Sequence, residues 1–175
     1  MSIVLDGTTG VTTPGLSSTG TITPGQTTGI VGTTTNNSAQ AGSVGEYVSS
    51  YISTYANYPA TGVFGEATSI SLTAGDWDIS YVIFCTGSGS SNWAEAISWI
   101  GTAAGNNTTG LQGGDNTVDD AWARSVTAVG AVNQTIPAWR ASISTTTTYY
   151  LKIYADYTSG AAPIFKCRLS ARRVR

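Results

Sequence analysis

The stretch Trp77-Asp78-Ile79-Ser80-Tyr81-Val82-Ile83-Phe84-Cys85 decides the fold. Trp77, Ile79, Tyr81, Ile83 and Cys85 recur at every second position, the period of a strand, so their side chains share one face. The opposite face starts polar at Asp78 and Ser80 and turns apolar at Val82 and Phe84. A strand that is apolar on both sides is covered on both sides, which places it centrally in a sandwich or at a subunit interface.

The neighbouring sequence has the same texture. Residues 67–73 alternate polar with apolar, and Ala74-Gly75-Asp76 turns the chain into the decisive strand. Further strands are expected at 46–54, 93–102, 121–128, 135–144, 147–157 and 163–173, with a turn around Pro59 and Gly62 and polar turns at 87–92, 105–120 and 158–162. In the last strand Phe165, Cys167, Leu169 and Ala171 point one way, while Lys166, Arg168, Ser170 and Arg172 point the other. Helical spacing is confined to a short possibility at 92–99. The fold class is therefore all-β, an antiparallel sandwich of seven or eight strands spanning residues 46–175.

Residues 1–45 differ in kind: they hold twelve threonines, a single charge at Asp6 and no aromatic residue. Thr-Thr-Gly or Ser-Thr-Gly at 8–10, 18–20 and 27–29 and Thr-Pro-Gly at 13–15 and 23–25 repeat at intervals near ten, with isolated apolar residues between them. Such sparse apolar residues cannot fold a monomer, but they suffice to zip three copies around an axis. The alternative is a flexible Thr/Gly linker. The expected organisation is thus an extended N-terminal stalk, 1–45, and a sandwich head, 46–175.

Of the whole chain, 41% is hydrophobic but only 10% is charged, against roughly 25% in ordinary soluble domains. A hydroxyl-rich, weakly charged surface suits close contact with identical copies. A net charge of −2 argues against a nucleic-acid partner, although five of the eight basic residues fall in the last ten positions. Those residues also read as the exposed face of the last strand. No apolar run approaches the roughly 20 residues of a membrane span, and Met1 to Asp6 has no signal-peptide character, so synthesis in a cytoplasm is expected.

No histidine is present, which removes Ser-His-Asp and Cys-His catalysis and the usual zinc sites. Neither a catalytic residue nor a cofactor site is expected. Cys85 and Cys167 sit in apolar strand patterns that suit buried thiols, and spacing leaves their pairing open. Asp115, Asp119 and Asp120 offer weak calcium ligands in a loop whose spacing does not match an EF-hand; a solvated loop tip is the plainer reading. Trp93 and Trp122, with Asp115, are candidate receptor contacts, since aromatic rings can stack on sugars, and Trp139 stands in a similar position. Trp77 belongs to the core or to an interface.

Two stretches resemble proteins of bacteriophage particles. Ser2-Ile3-Val4-Leu5-Asp6-Gly7-Thr8-Thr9-Gly10-Val11-Thr12-Thr13-Pro14-Gly15-Leu16 resembles a leader of tail-fibre and virion-appendage proteins. Residues 68–79, with the ending Ser170-Ala171-Arg172-Arg173-Val174-Arg175, resemble the heads of such proteins. The resemblance implies a homotrimer with a jelly-roll head akin to tumour necrosis factor and complement-type heads. It also implies a short surface fibre or capsid decoration protein in the virion, docked on a capsid or tail protein through 1–45, with Ile3, Val4, Leu5, Val11 and Leu16 anchoring, and a head turned outward to a host glycan or protein. The competing expectations are a stand-alone carbohydrate-binding lectin module and a glycan depolymerase built on paired carboxylates.

Overall fold

The computed structural model describes residues 19–20, 35, 37–88, 92–105, 123–124, 131–158 and 161–175. The chain divides into two compact units, 1–36 and Asn37–Arg175, and the second contains every assigned element. Among the described residues all of these are strands: β1 (Tyr47–Asn57), β2 (Val63–Leu72), β3 (Gly75–Ser88), β4 (Asn92–Gly101), β5 (Ala123–Arg124), β6 (Ala131–Thr135), β7 (Trp139–Ile143), β8 (Thr147–Thr158) and β9 (Ala161–Arg173).

The strands form two sheets, antiparallel throughout. Sheet A runs β1-β9-β3-β6, with β7 also on β3, and sheet B runs β2-β8-β4-β5. β3 is the shared rail of sheet A: β9 pairs along one edge from Trp77 to Ser88, while β7 takes Gly75–Ile79 and β6 takes Val82–Thr86 on the other. The decisive strand is therefore central, as its two-sided pattern requires.

The core lies between the sheets. Trp77, Ile79, Tyr81, Ile83 and Cys85 of β3 and Phe165, Cys167, Leu169 and Ala171 of β9 face Tyr149, Leu151, Ile153 and Ala155 of β8, Ile70 and Leu72 of β2, and Ala96 and Ile100 of β4. Polar atoms in this layer are tied across it. The Tyr81 hydroxyl donates to the Ser98 carbonyl at 2.8 Å, and Gln134 Nε2 donates to the Ala96 carbonyl at 2.9 Å.

The strand expected at 93–102 is β4, Asn92–Gly101, paired with β8, and the short helical possibility at 92–99 is not taken up, because Trp99 and Ile100 both find apolar cover on opposite sides of sheet B. Two expectations are corrected. The strand expected at 135–144 starts later, as β7, Trp139–Ile143, because Pro137 in Ile136-Pro137-Ala138 has no N–H for the ladder, and a further strand, β6, which the expected one touched only at Thr135, precedes it. Arg173 does not lie on an exposed face; it follows Ala171 on the inner side of β9 and is only 5% exposed. Of the strand expected at 121–128, Ala123–Arg124 is seen as β5 and the rest lies outside the described residues.

Candidate functional site

The inner faces of both sheets are consumed by the core, so surface function falls to their outer faces, and the outer face of sheet A is the more open. Register sets its side chains in rows across the strands. Tyr47, Arg172, Asp78 and Arg140 form the first row. Ser49, Ser170 and Ser80 form the second, with Ser80 Oγ and Ser170 Oγ 3.3 Å apart. Tyr51, Arg168, Val82 and Thr135 form the third, and Lys166, Phe84 and Asn133 the fourth. The serine row is short, so a trough runs between bulky rows and opens into a groove lined by Tyr47, Tyr51, Val82, Phe84, Lys166 and Arg168.

The two tyrosines at its rim are exposed. Tyr51 is 62% exposed and Tyr47 39%, while Val82 and Phe84 remain only half-buried. The cations are unevenly matched. Arg140 and Arg175 share Asp76, Arg173 holds Glu46 and Lys152 holds Glu66, but Arg168 and Arg172 are exposed and form no ion pair among the described residues. Exposed aromatic rings thus lie beside two guanidinium groups that have no ion-pair partner among the described residues.

Among the described residues no group of three or more His, Cys, Asp or Glu side chains is placed to hold a metal ion, and no helix is long and apolar enough to cross a membrane. The two cysteines are free and buried. Burial pushes the Cys85 thiol up to about 12 and the Cys167 thiol up to about 11, and Cys85 Sγ lies 2.7 Å from the Tyr58 hydroxyl. Register pairs Cys167 with Ile83 and Cys85 with Phe165, so the thiols are diagonal neighbours, too widely set for an easy disulfide.

Of the expected site residues, Asp115, Asp119, Asp120 and Trp122 lie outside the described residues, as do Ile3, Val4, Leu5, Val11 and Leu16. Trp93 is placed in β4 by its backbone, opposite Tyr157. Trp139 is half-buried and meets Tyr149 edge-on at 5.9 Å, so it packs. Tyr47 and Tyr51 were not anticipated as surface features, although their spacing around Ser49 puts all three on one strand face and carries the signal. Comparison with known proteins gives no relative: no family profile, no curated protein and no solved structure matches the chain.

Proposed function

We propose that this chain is a non-enzymatic structural protein of a bacteriophage particle, a surface fibre or capsid decoration protein, in which three heads associate through the outer face of sheet A. One observation carries the reading: Tyr47 and Tyr51, 39% and 62% exposed, flank an aromatic and apolar groove on the outer face of sheet A. Covering that apolar area removes it from water at roughly 25 cal/mol per Å², and exposed apolar grooves of this kind mark association surfaces. The strand order supports the jelly-roll reading: with β6 and β7 counted as one interrupted strand, sheet A reads first-last-third-sixth and sheet B second-seventh-fourth-fifth, the two interleaved Greek keys of that architecture. The leader at 2–16 supports docking of 1–45 on a capsid or tail protein, and the low charge supports contact between identical chains.

Sedimentation at micromolar concentration should give three times the 18.0 kDa chain mass. Tyr51→Glu alters a side chain 62% exposed in the single chain, so it should keep the fold and weaken association at least tenfold. A monodisperse wild-type monomer overturns the trimer. Deleting 1–40 should leave a folded head that no longer joins particles, and normal incorporation of that head overturns the docking role. A lectin reading draws on a different feature of the same face, the exposed Tyr51 ring beside Arg168. It predicts a monomer whose glycan binding is lost in Tyr51→Ala.

A further inference from the structure

The base of the sandwich, where β1 begins and β9 finishes, holds a set of ion pairs that no surface role requires. Glu46 Oε2 accepts from the Gly42 N–H at 2.7 Å and from Arg173 Nε at 2.9 Å. The backbone runs parallel to these contacts: Gly45 N–H donates to the Arg173 carbonyl and Arg173 N–H to the Glu46 carbonyl, each at 2.9 Å, while Glu46 N–H closes a turn on the Ser43 carbonyl at 3.0 Å. Gly42 and Gly45 adopt φ of 84° and 90°, which only glycine takes without strain, so the turn is built into the sequence. The buried Arg173 guanidinium also donates to the Ala74 carbonyl at 2.8 Å and to Thr73 Oγ1 at 2.6 Å, and stands 4.3 Å over the Trp77 ring.

Two residues further along, a second carboxylate repeats the arrangement. Asp76 takes Arg140 in a fork at 2.8 and 2.6 Å and Arg175 Nε at 2.8 Å, and its own backbone bonds Val174 and Arg175. Arg173 and Arg175 are thus held by one carboxylate each, from opposite neighbours of the same strand end.

We propose that Glu46 and Asp76 form an acid-sensitive clasp that fastens the 42–46 turn and the end of β9 to the sandwich near neutral pH and releases both on acidification. The charged groups around it are Arg172, Arg173 and Arg175, Asp76 and Asp78 of β3, Arg140 of β7 and Glu46 itself. The chain has no histidine, so only carboxylates can supply a response below neutrality. The Gly42 N–H, with Arg173, holds the Glu46 carboxyl below its ordinary value of 4.5, and the Arg140 fork, with Arg175, holds Asp76 below 3.8. Both folded values are depressed, so the stabilisation is complete above the ordinary carboxylate range and disappears as pH falls through the lowered values. Protonated Glu46 then leaves the buried Arg173 cation without its counter-charge.

Amide exchange of the full chain at pH 7 and pH 2, expressed as protection relative to the intrinsic rate, tests the clasp. The amides of Gly42, Gly45, Arg173 and Val174 should lose protection at least tenfold at pH 2, while the core amides of Ile83 and Leu151 keep theirs. E46Q, which keeps the size and removes the charge, should show the loss at Gly42 and Gly45 already at pH 7, on the order of tenfold, with little further change on acidification. D76N should do the same at Val174. Protection of Ile83 and Leu151 reports that each variant is folded; should D76N fail to fold, E46Q decides alone. Equal protection of the four amides at both pH values, or an E46Q chain indistinguishable from wild type at pH 7, overturns the proposal.

Discussion

Arg173 shows how much one side chain can settle. Its guanidinium, inside the base of the sandwich, reaches the turn between β2 and β3, Trp77 and Glu46 together, and a Cβ added at Gly75 would land on it. Gly75→Ala should therefore destabilise the sandwich by about 2–3 kcal/mol in chemical denaturation, with the slope against denaturant unchanged. Composition alone could not reveal this role, since Arg173 and Glu46 are 127 residues apart and the basic ending reads equally well as a solvated face. The thiols were more legible. Cys85 and Cys167 lie in strict alternation with apolar residues, and both are buried. With their thiols pushed up to about 12 and about 11, neither should react with a disulfide reagent at pH 8 except at the rate of global unfolding. Rapid modification of the folded chain would contradict that.

Strands were readable wherever one face is wet. β3, β8 and β9 announce themselves by period-two alternation, and Phe165, Cys167, Leu169 and Ala171 all face inward as that period demands. The strand expected at 93–102 was legible too: Trp93, Ile97 and Ile100 fall at helical intervals, yet β8 supplies a full ladder for Asn92–Gly101. Legibility failed where turn-forming residues interrupt the pattern. The start of β2 at Val63 was masked by Pro59, Gly62 and Gly65, three turn-forming residues in a stretch where Gly65 in fact lies tight against the Pro59 ring. The outer side of sheet B holds a feature no pattern could expose. Lys152 is 0% exposed, with Nζ 3.1 Å from Glu66 and 2.5 Å from the Gly105 carbonyl, and Glu66 accepts the Gly105 N–H in return. The pair fastens the segment after β4 to β2 and β8. Glu66→Gln should cost about 1–3 kcal/mol, since it strands the fully buried Lys152 cation, whereas Lys152→Met should cost less, since the carboxylate it leaves behind, Glu66, is a third exposed and within reach of water. Thermal melts of the two variants give the order. Ile83→Ala, at the centre of β3, should exceed both at about 2–5 kcal/mol.

At the scale of the whole molecule, the Thr/Gly-rich composition of 1–45 and the two-sided apolarity of Val82 and Phe84 are the sequence features on which the proposal of association rests, while Tyr47 and Tyr51 were added to them only once β9 was placed beside β1. The topology carries a further consequence, for synthesis. Among the described strands β1 is the first made, and it pairs with β9, the last of the nine; β3 likewise waits for β9 along one whole edge. A ribosome that has delivered residues 1–160 has made nearly all of the core and none of the strand that joins β1 to β3. The nascent chain must then hold an unfinished sheet in solution, and its folding, dominated by pairings distant in sequence, should be slow, in the millisecond-to-second range. Chains stopped before residue 161 should be degraded or aggregate instead of accumulating as folded heads, which pulse-labelling with stop codons at successive positions would measure. Any assembly that accepts only folded heads would thereby reject every interrupted translation product without needing a separate inspection step.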